Sequence, residues 1–188
     1  MKNKQKSFVR RFKILIYFIA ALWIVEAVNL LLGHSLCAWG ILPRTARGLV
    51  GVPLAPFLHS GPAHLAMNTV PLAVLGGLII FFGKRAFAET TLFIILAGGA
   101  ALWLIGRAAP HVGASGLIFG YFGYLVARGF FKKDIISLIV AFITFFAYGG
   151  LLWGLAPTSS HISWERHLCG FAAGILAAGI EKKPVKKN

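Results

Sequence analysis

Ser115 stands in the run Gly113-Ala114-Ser115-Gly116, and His167 opens the run His167-Leu168-Cys169-Gly170-Phe171-Ala172-Ala173-Gly174. A serine hydroxyl is a weak nucleophile until a neighbouring base takes its proton, and a neutral imidazole is a common base. The two residues therefore suit acyl transfer, with Ser115 as nucleophile and His167 as base. Attack on a carbonyl builds an oxyanion, which needs donors already in position. Ser115 opens an apolar run, where backbone N–H groups of a helix start are unpaired, so its own N–H is one candidate. His64 and Asn68 are four residues apart, share a helix face and can add side-chain donors. No carboxylate completes a triad, because Glu165 is two residues from His167 and i,i+2 positions do not face each other. The reading is a Ser115–His167 dyad, with Phe119, one turn after Ser115, packing on the imidazole. Simpler readings stand beside it. A membrane-embedded serine commonly bonds its own helix backbone, a lone histidine commonly packs, and Asn68 can bridge two helices.

The elements that must position these groups are apolar. The chain has 188 residues, of which 58% are hydrophobic, and a mean hydropathy of +0.80, more apolar surface than a water-soluble domain of this length can bury. Six apolar segments can be drawn, over residues 14–32, 63–82, 88–105, 115–130, 135–155 and 165–180. The first follows a basic start but is longer than a secretory signal core, which predicts a retained membrane helix. The net charge of +14 lies in short clusters between apolar runs, a pattern that indicates anionic lipid and topology signals rather than nucleic acid. All but four of the 19 Lys and Arg residues fall on one side of the predicted spans, the exceptions being Arg44, Arg47, Arg107 and Arg166. The positive-inside rule then predicts a multi-pass protein of the cell membrane with both termini in the cytoplasm. The organisation expected is a basic N-terminus over 1–13, a helical domain over 14–181 and a basic tail over 182–188.

Depth brings the polar residues together. At about 1.5 Å rise per residue, Ser115 lies roughly 20 Å from Arg128, His167 roughly 22 Å from Lys182 and Asn68 roughly 24 Å from Lys84. Three helices thus present Ser, His and a His/Asn pair near one level, below the outer surface of a core about 30 Å thick. Polar groups at that depth are costly and invite a functional reading. Gly116-x-x-x-Gly120 and Gly170-x-x-x-Gly174 let two helix backbones approach closely in lipid. Hydrolysis also needs water, so a polar cavity should open outward, and His59, Ser60, His161 and Ser163 are placed to line it. The apolar loop over residues 33–62 is expected either to fold back on the bilayer interface or to pack over the bundle. Cys37 and Cys169 lack metal-ligand spacing; a disulfide between them requires both to face an oxidising side, and the favoured reading is two small buried residues. A zinc site from His59, His64 and His167 is disfavoured because H-E-x-x-H is absent and no acid lies nearby on the second span. No cofactor is expected.

These motifs, in this order and on these segments, resemble those of the rhomboid family of intramembrane serine proteases. His59 to Asn68 is similar to the family's H-x-x-x-N element with its preceding histidine, Gly113 to Gly116 to its G-x-S-G, and His167 to Gly174 to its H-x-x-G-x-x-x-G. The resemblance implies an all-α membrane protein with a six-helix bundle and Ser115 at the start of the fourth helix. It implies Ser115 and His167 as the dyad, His64 and Asn68 aiding the oxyanion, and an aromatic at Phe119 packed on the histidine. Substrates would be single-pass transmembrane proteins cut near their outer boundary, admitted by the fifth helix, about residues 142–153, and a capping loop, residues 157–163. The chain departs from the pattern at Arg166, where relatives often have a small residue, and at Cys169, where they often have Gly. The Trp-Arg pair common in the first outer loop is not evident here. The rival readings are a catalytically inactive rhomboid-like protein that binds membrane clients, and a small transporter. The rival transporter lacks the usual internal repeat or intramembrane acids, Glu26 being the acid well inside a span.

Overall fold

A computed structural model of the chain describes residues 2–157 and 163–181, with side chains from Arg11 onward. The expected tail over 182–188, and residues 158–162 of the expected capping loop with His161, lie outside the described residues. Among the described residues eight α-helices follow one another: α1 Lys2–Leu31, α2 Ala46–Leu54, α3 Pro62–Phe82, α4 Lys84–Phe93, α5 Gly99–Ile105, α6 Ser115–Lys132, α7 Ile135–Tyr148 and α8 Trp164–Ile180. A π-helical turn, Ile94–Gly98, joins α4 to α5, and a 3-10 segment, Gly149–Leu155, continues α7. Among the described residues four stretches are long and apolar enough to cross a membrane: Arg11–Leu31, Pro62–Phe82, Lys84–Ile105 and Ile135–Leu155. They match the first, second, third and fifth predicted segments. The fourth and sixth are α6 and α8, of 18 and 17 residues, and they form the interior of the bundle.

Local chemistry sets the helix ends. Pro62 sits at the first position of α3, where its missing N–H costs nothing. Asp134 caps α7 by accepting from the Ser137 N–H at 2.9 Å, and its second oxygen accepts from the Ser137 hydroxyl at 2.6 Å. Lys133, in the left-handed region at φ 53°, ends α6.

The interior is built where α6 crosses α8. A Cβ on Gly170 would overlap the Gly116 carbonyl oxygen, and one on Gly174 would overlap the carbonyl of Gly120. Glycine at these positions lets the two backbones touch, which is the packing mode available where lipid removes the hydrophobic drive. Tyr121, Phe122, Tyr124 and Leu125 of α6 are buried beside the crossing, against Leu72, Leu75, Ile79 and Ile80 of α3. The buried Tyr121 hydroxyl is satisfied by Thr91 Oγ1 at 2.6 Å. The π-helical turn also faces the crossing, with Ile94 against Gly120 and Gly98 against Gly170.

The long loop between α1 and α3 meets both expectations in part. It packs on the bundle: Ile41 pairs with His111 in an isolated antiparallel bridge, and Val52 lies against Gly99 of α5. Yet Trp39, Leu49, Val50 and Leu54 keep exposed apolar faces, as a segment lying at a membrane interface would. Cys37 and Cys169 are both free; Cys169 is buried as expected, whereas Cys37 is only half-buried.

Gly170→Ala is expected to destabilise the fold by about 1–3 kcal/mol, because the added methyl forces the helices apart. Gly149→Ala, where an added Cβ meets nothing within 4 Å, should be near neutral. Thermal unfolding in detergent compares the two, and equal melting points would refute the backbone-contact account.

Candidate active site

Ser115 is the first residue of α6 and is partly exposed, while Gly113, Ala114 and Gly116 around it are buried. Gly116 packs on α8 beside Arg166: its added Cβ would stand 2.9 Å from Arg166 Cγ and 3.3 Å from the Arg166 carbonyl oxygen. Ser115 and His167 are therefore each one residue from the point where the helices meet. Phe119 lies one turn along α6 on the face of Ser115, and its ring stacks on the His167 ring, centroids 4.0 Å apart and planes 6° from parallel. The histidine thus rests on the face of α6 that carries the serine.

The second contact of His167 decides its tautomer. Nδ1 lies 2.9 Å from the Gly154 carbonyl oxygen, in the 3-10 segment after α7. A carbonyl only accepts, so Nδ1 carries the proton and donates. In the neutral ring Nε2 then holds the lone pair, the state a general base requires. Gly154 can do this because it lacks a side chain: a Cβ there would stand 2.7 Å from Phe119 Cζ and 3.3 Å from His167 Nδ1. Among the described residues the hydrogen bond of the His167 ring is the one to Gly154, and none joins it to the Ser115 hydroxyl.

His64 and Asn68 of α3 come to the same loop. A Cβ on Gly113 would lie 3.0 Å from His64 Nε2 and 4.0 Å from Asn68 Nδ2, and the φ of +109° at Gly113 independently favours glycine. His64 Nδ1 is 3.1 Å from Ser60 Oγ. The Asn68 amide donates one hydrogen to the His64 carbonyl, at 3.0 Å, and keeps a second N–H. The helix start and two side-chain donors therefore surround the Gly113–Ser115 turn.

His59 departs from its expected place on a cavity wall. It is fully buried, and its Nε2 accepts the Ala114 N–H at 3.2 Å, while its carbonyl takes hydrogen bonds from Asn29 and Cys37. Ser163 is engaged by His111 Nδ1 at 2.6 Å, and its carbonyl receives the Arg166 and His167 N–H groups. Sequence reading also missed Gly154. Its backbone carbonyl leaves no signature in residue type, and Gly154 is one of three glycines in that segment.

A family model for the Rhomboid domain matches residues 46–183. Similar curated proteins include an uncharacterized protein of Mycobacterium tuberculosis, 38% identical over 179 residues, 90% of this chain and 75% of the relative. An uncharacterized protein of Mycobacterium leprae is 39% identical over 183 residues, covering 91% of this chain and 71% of its own. The Bacillus subtilis protein named "Putative rhomboid protease YdcA" is 25% identical over 185 residues, 91% and 89% of the two chains. The fold and its apolar helices are those of an integral membrane protein. The chain belongs to the rhomboid family.

His59 lies in the loop before α3, outside the spans. Burial, then the nearby charges of His64 and Arg166, push its pKa down to about 3. His111, in the loop before α6, is shifted downward too, chiefly by burial. Between the ordinary imidazole value and the folded one, the unfolded chain binds a proton that the folded chain refuses. Folding stability is therefore expected to fall with falling pH across that window, by up to about 1.4 kcal/mol per pH unit from His59. His59→Gln keeps an acceptor for the Ala114 N–H but cannot take a proton, so it should flatten the acid slope of the melting temperature. An unchanged slope would count against the assignment.

Proposed function

We propose that this chain is an intramembrane serine endopeptidase that cuts transmembrane segments with a Ser115–His167 dyad. The observation that carries the reading is the state of His167: stacked on Phe119 over the serine-bearing face of α6, protonated at Nδ1 by its bond to Gly154, and bare at Nε2.

Ser115 Oγ attacks the scissile carbonyl carbon while its proton passes to His167 Nε2. The tetrahedral oxyanion is held by the Ser115 N–H, the free Asn68 N–H and His64. Its collapse breaks the C–N bond, and the amine leaves with the proton from His167. Water then attacks the acyl-enzyme, His167 again acting as base, which frees the acid and restores Ser115. Phe119 fixes the plane of the imidazole, the task a carboxylate performs in a triad.

Substrates are single-pass membrane proteins whose helix unwinds near its outer boundary. The rim of exposed apolar residues on α7 and after it, Phe142, Phe146 and Trp153, is the side from which such a segment approaches. In this reading α6 and α8 also cross the membrane, completing a six-helix bundle in the cell membrane. Both termini are cytoplasmic, the side on which the basic clusters lie.

Reconstituted protein should cleave a generic transmembrane substrate, and Ser115→Ala should lose at least about 10³-fold of that rate. A fluorophosphonate probe should label Ser115 in the wild type and fail in His167→Ala. Cleavage that survives Ser115→Ala overturns the mechanism; wild-type protein that neither cleaves nor labels favours an inactive client-binding protein. Asn68→Ala should cost about 10²–10³-fold in kcat if its N–H meets the oxyanion. Gly154→Ala, which crowds both Phe119 and His167, should cut kcat by about 10²-fold through misplacement of the base, with the melting point little changed; undiminished kcat would remove Gly154 from the orientation of His167.

A further inference from the structure

Arg166 is the costliest side chain near the site, and the dyad does not use it. It precedes His167 in the first turn of α8 and is 5% exposed. A buried cation is penalised heavily unless it is paired, and none of the ion pairs among the described residues includes it. Its neighbour Glu165 pairs instead with Arg107, at 3.7 Å. Arg166 Nε and Nη1 have no hydrogen-bond partner among the described residues. The side chain borders an otherwise apolar cavity of about 20 Å³, room for about one water. The bond it does make is from Nη2 to the Gly113 carbonyl oxygen.

That carbonyl and the Ala114 N–H belong to one planar peptide unit. Arg166 holds the oxygen end, and the N–H end is donated to His59 Nε2. Just upstream, the Gly113 N–H is anchored on the Ala55 carbonyl at 3.0 Å. Glycine backbone rotates more freely than any other, so the Gly113–Ala114 peptide is the joint at which the turn into α6 would otherwise swing. Ser115 follows that joint immediately.

We propose that Arg166 is a positioning residue: with His59 it clamps the Gly113–Ala114 peptide from both ends and so fixes the direction in which Ser115 enters α6. The proposal rests on Ser115 being the nucleophile. A charge-assisted bond is stronger than a neutral one, and the absence of a competing carboxylate leaves the guanidinium committed to the carbonyl. Methionine at this position would match the reach but hold nothing. Lysine would keep the charge and one donor without the planar fork.

Two measurements on the full chain in detergent test this. In the Ser115→Ala background, Arg166→Met should speed hydrogen exchange of the Ala114 amide about tenfold, with the middle of α6 and α8 unaffected. In the active protein, Arg166→Met should lower kcat and the rate of fluorophosphonate labelling by about 10²-fold with KM little changed, and Arg166→Lys should recover part of both. Wild-type exchange at Ala114 in Arg166→Met overturns the clamp, as does a kcat loss that Arg166→Lys does not relieve. If Arg166→Met fails to fold, Arg166→Lys alone decides, since faster exchange confined to the turn is required of it. A wild type that neither cleaves nor labels would defeat the protease reading, whereas the exchange result would still decide the clamp.

Discussion

Two helices can cross at backbone distance only where neither carries a Cβ at the crossing. α6 and α8 meet this condition twice, at Gly116 with Gly170 and at Gly120 with Gly174. In lipid, close contact of this kind replaces the hydrophobic drive that packs helices in water. Everything that gives the site its form follows from that contact. It brings the first turn of α8 against the first turn of α6, sets Phe119 under the His167 ring, and places Arg166 within reach of the Gly113 carbonyl.

The surrounding polar groups are tied into one chain of contacts that runs outward from the crossing. The Gly113–Ala114 peptide is held by α8 on one side and by His59 on the other. The His59 carbonyl is held in turn by Asn29 and Cys37, and Asn29 and His34 both meet the buried Glu26. The loop between α1 and α3 is thereby coupled to the turn that carries Ser115. Buried polar groups tolerate little displacement, because a lost partner leaves a desolvated atom behind. Such a network explains why a loop with so much apolar surface is nevertheless well placed against the bundle.

At the opposite end the bundle is held by charge. Arg128 donates to Ser137, approaches Asp134 and Glu181 at 3.8 and 3.2 Å, and covers the Phe82 ring with its carbon at 3.9 Å from the centroid. Lys132 reaches the Glu181 backbone carbonyl at 2.6 Å. α7 is therefore fastened to α6 at its start, close to Gly129, while Phe142 and Phe146 along it and Trp153 after it face outward, and the 3-10 segment that follows meets the site at Gly154. That end also packs on the core through Tyr148 and Leu151.

Hydropathy and glycine spacing in the sequence were enough to delimit the apolar helices, because a membrane span must satisfy its own backbone and so writes its length into the chain. The family followed from three short motifs, and the pairing of Phe119 with His167 followed from a four-residue spacing on one helix. What tertiary structure alone decided were the contacts made by backbone atoms. The carbonyl of Gly154 that selects the His167 tautomer, and the two-ended hold on the Gly113–Ala114 peptide, depend on main-chain groups that every residue type carries. Residue identity does not distinguish one carbonyl from another; only the fold determines which of them a buried imidazole or guanidinium meets. For the same reason His59, which residue type alone suggested for a wet cavity, proved to be a buried acceptor, since burial depends on the elements packed around a side chain and not on its chemistry.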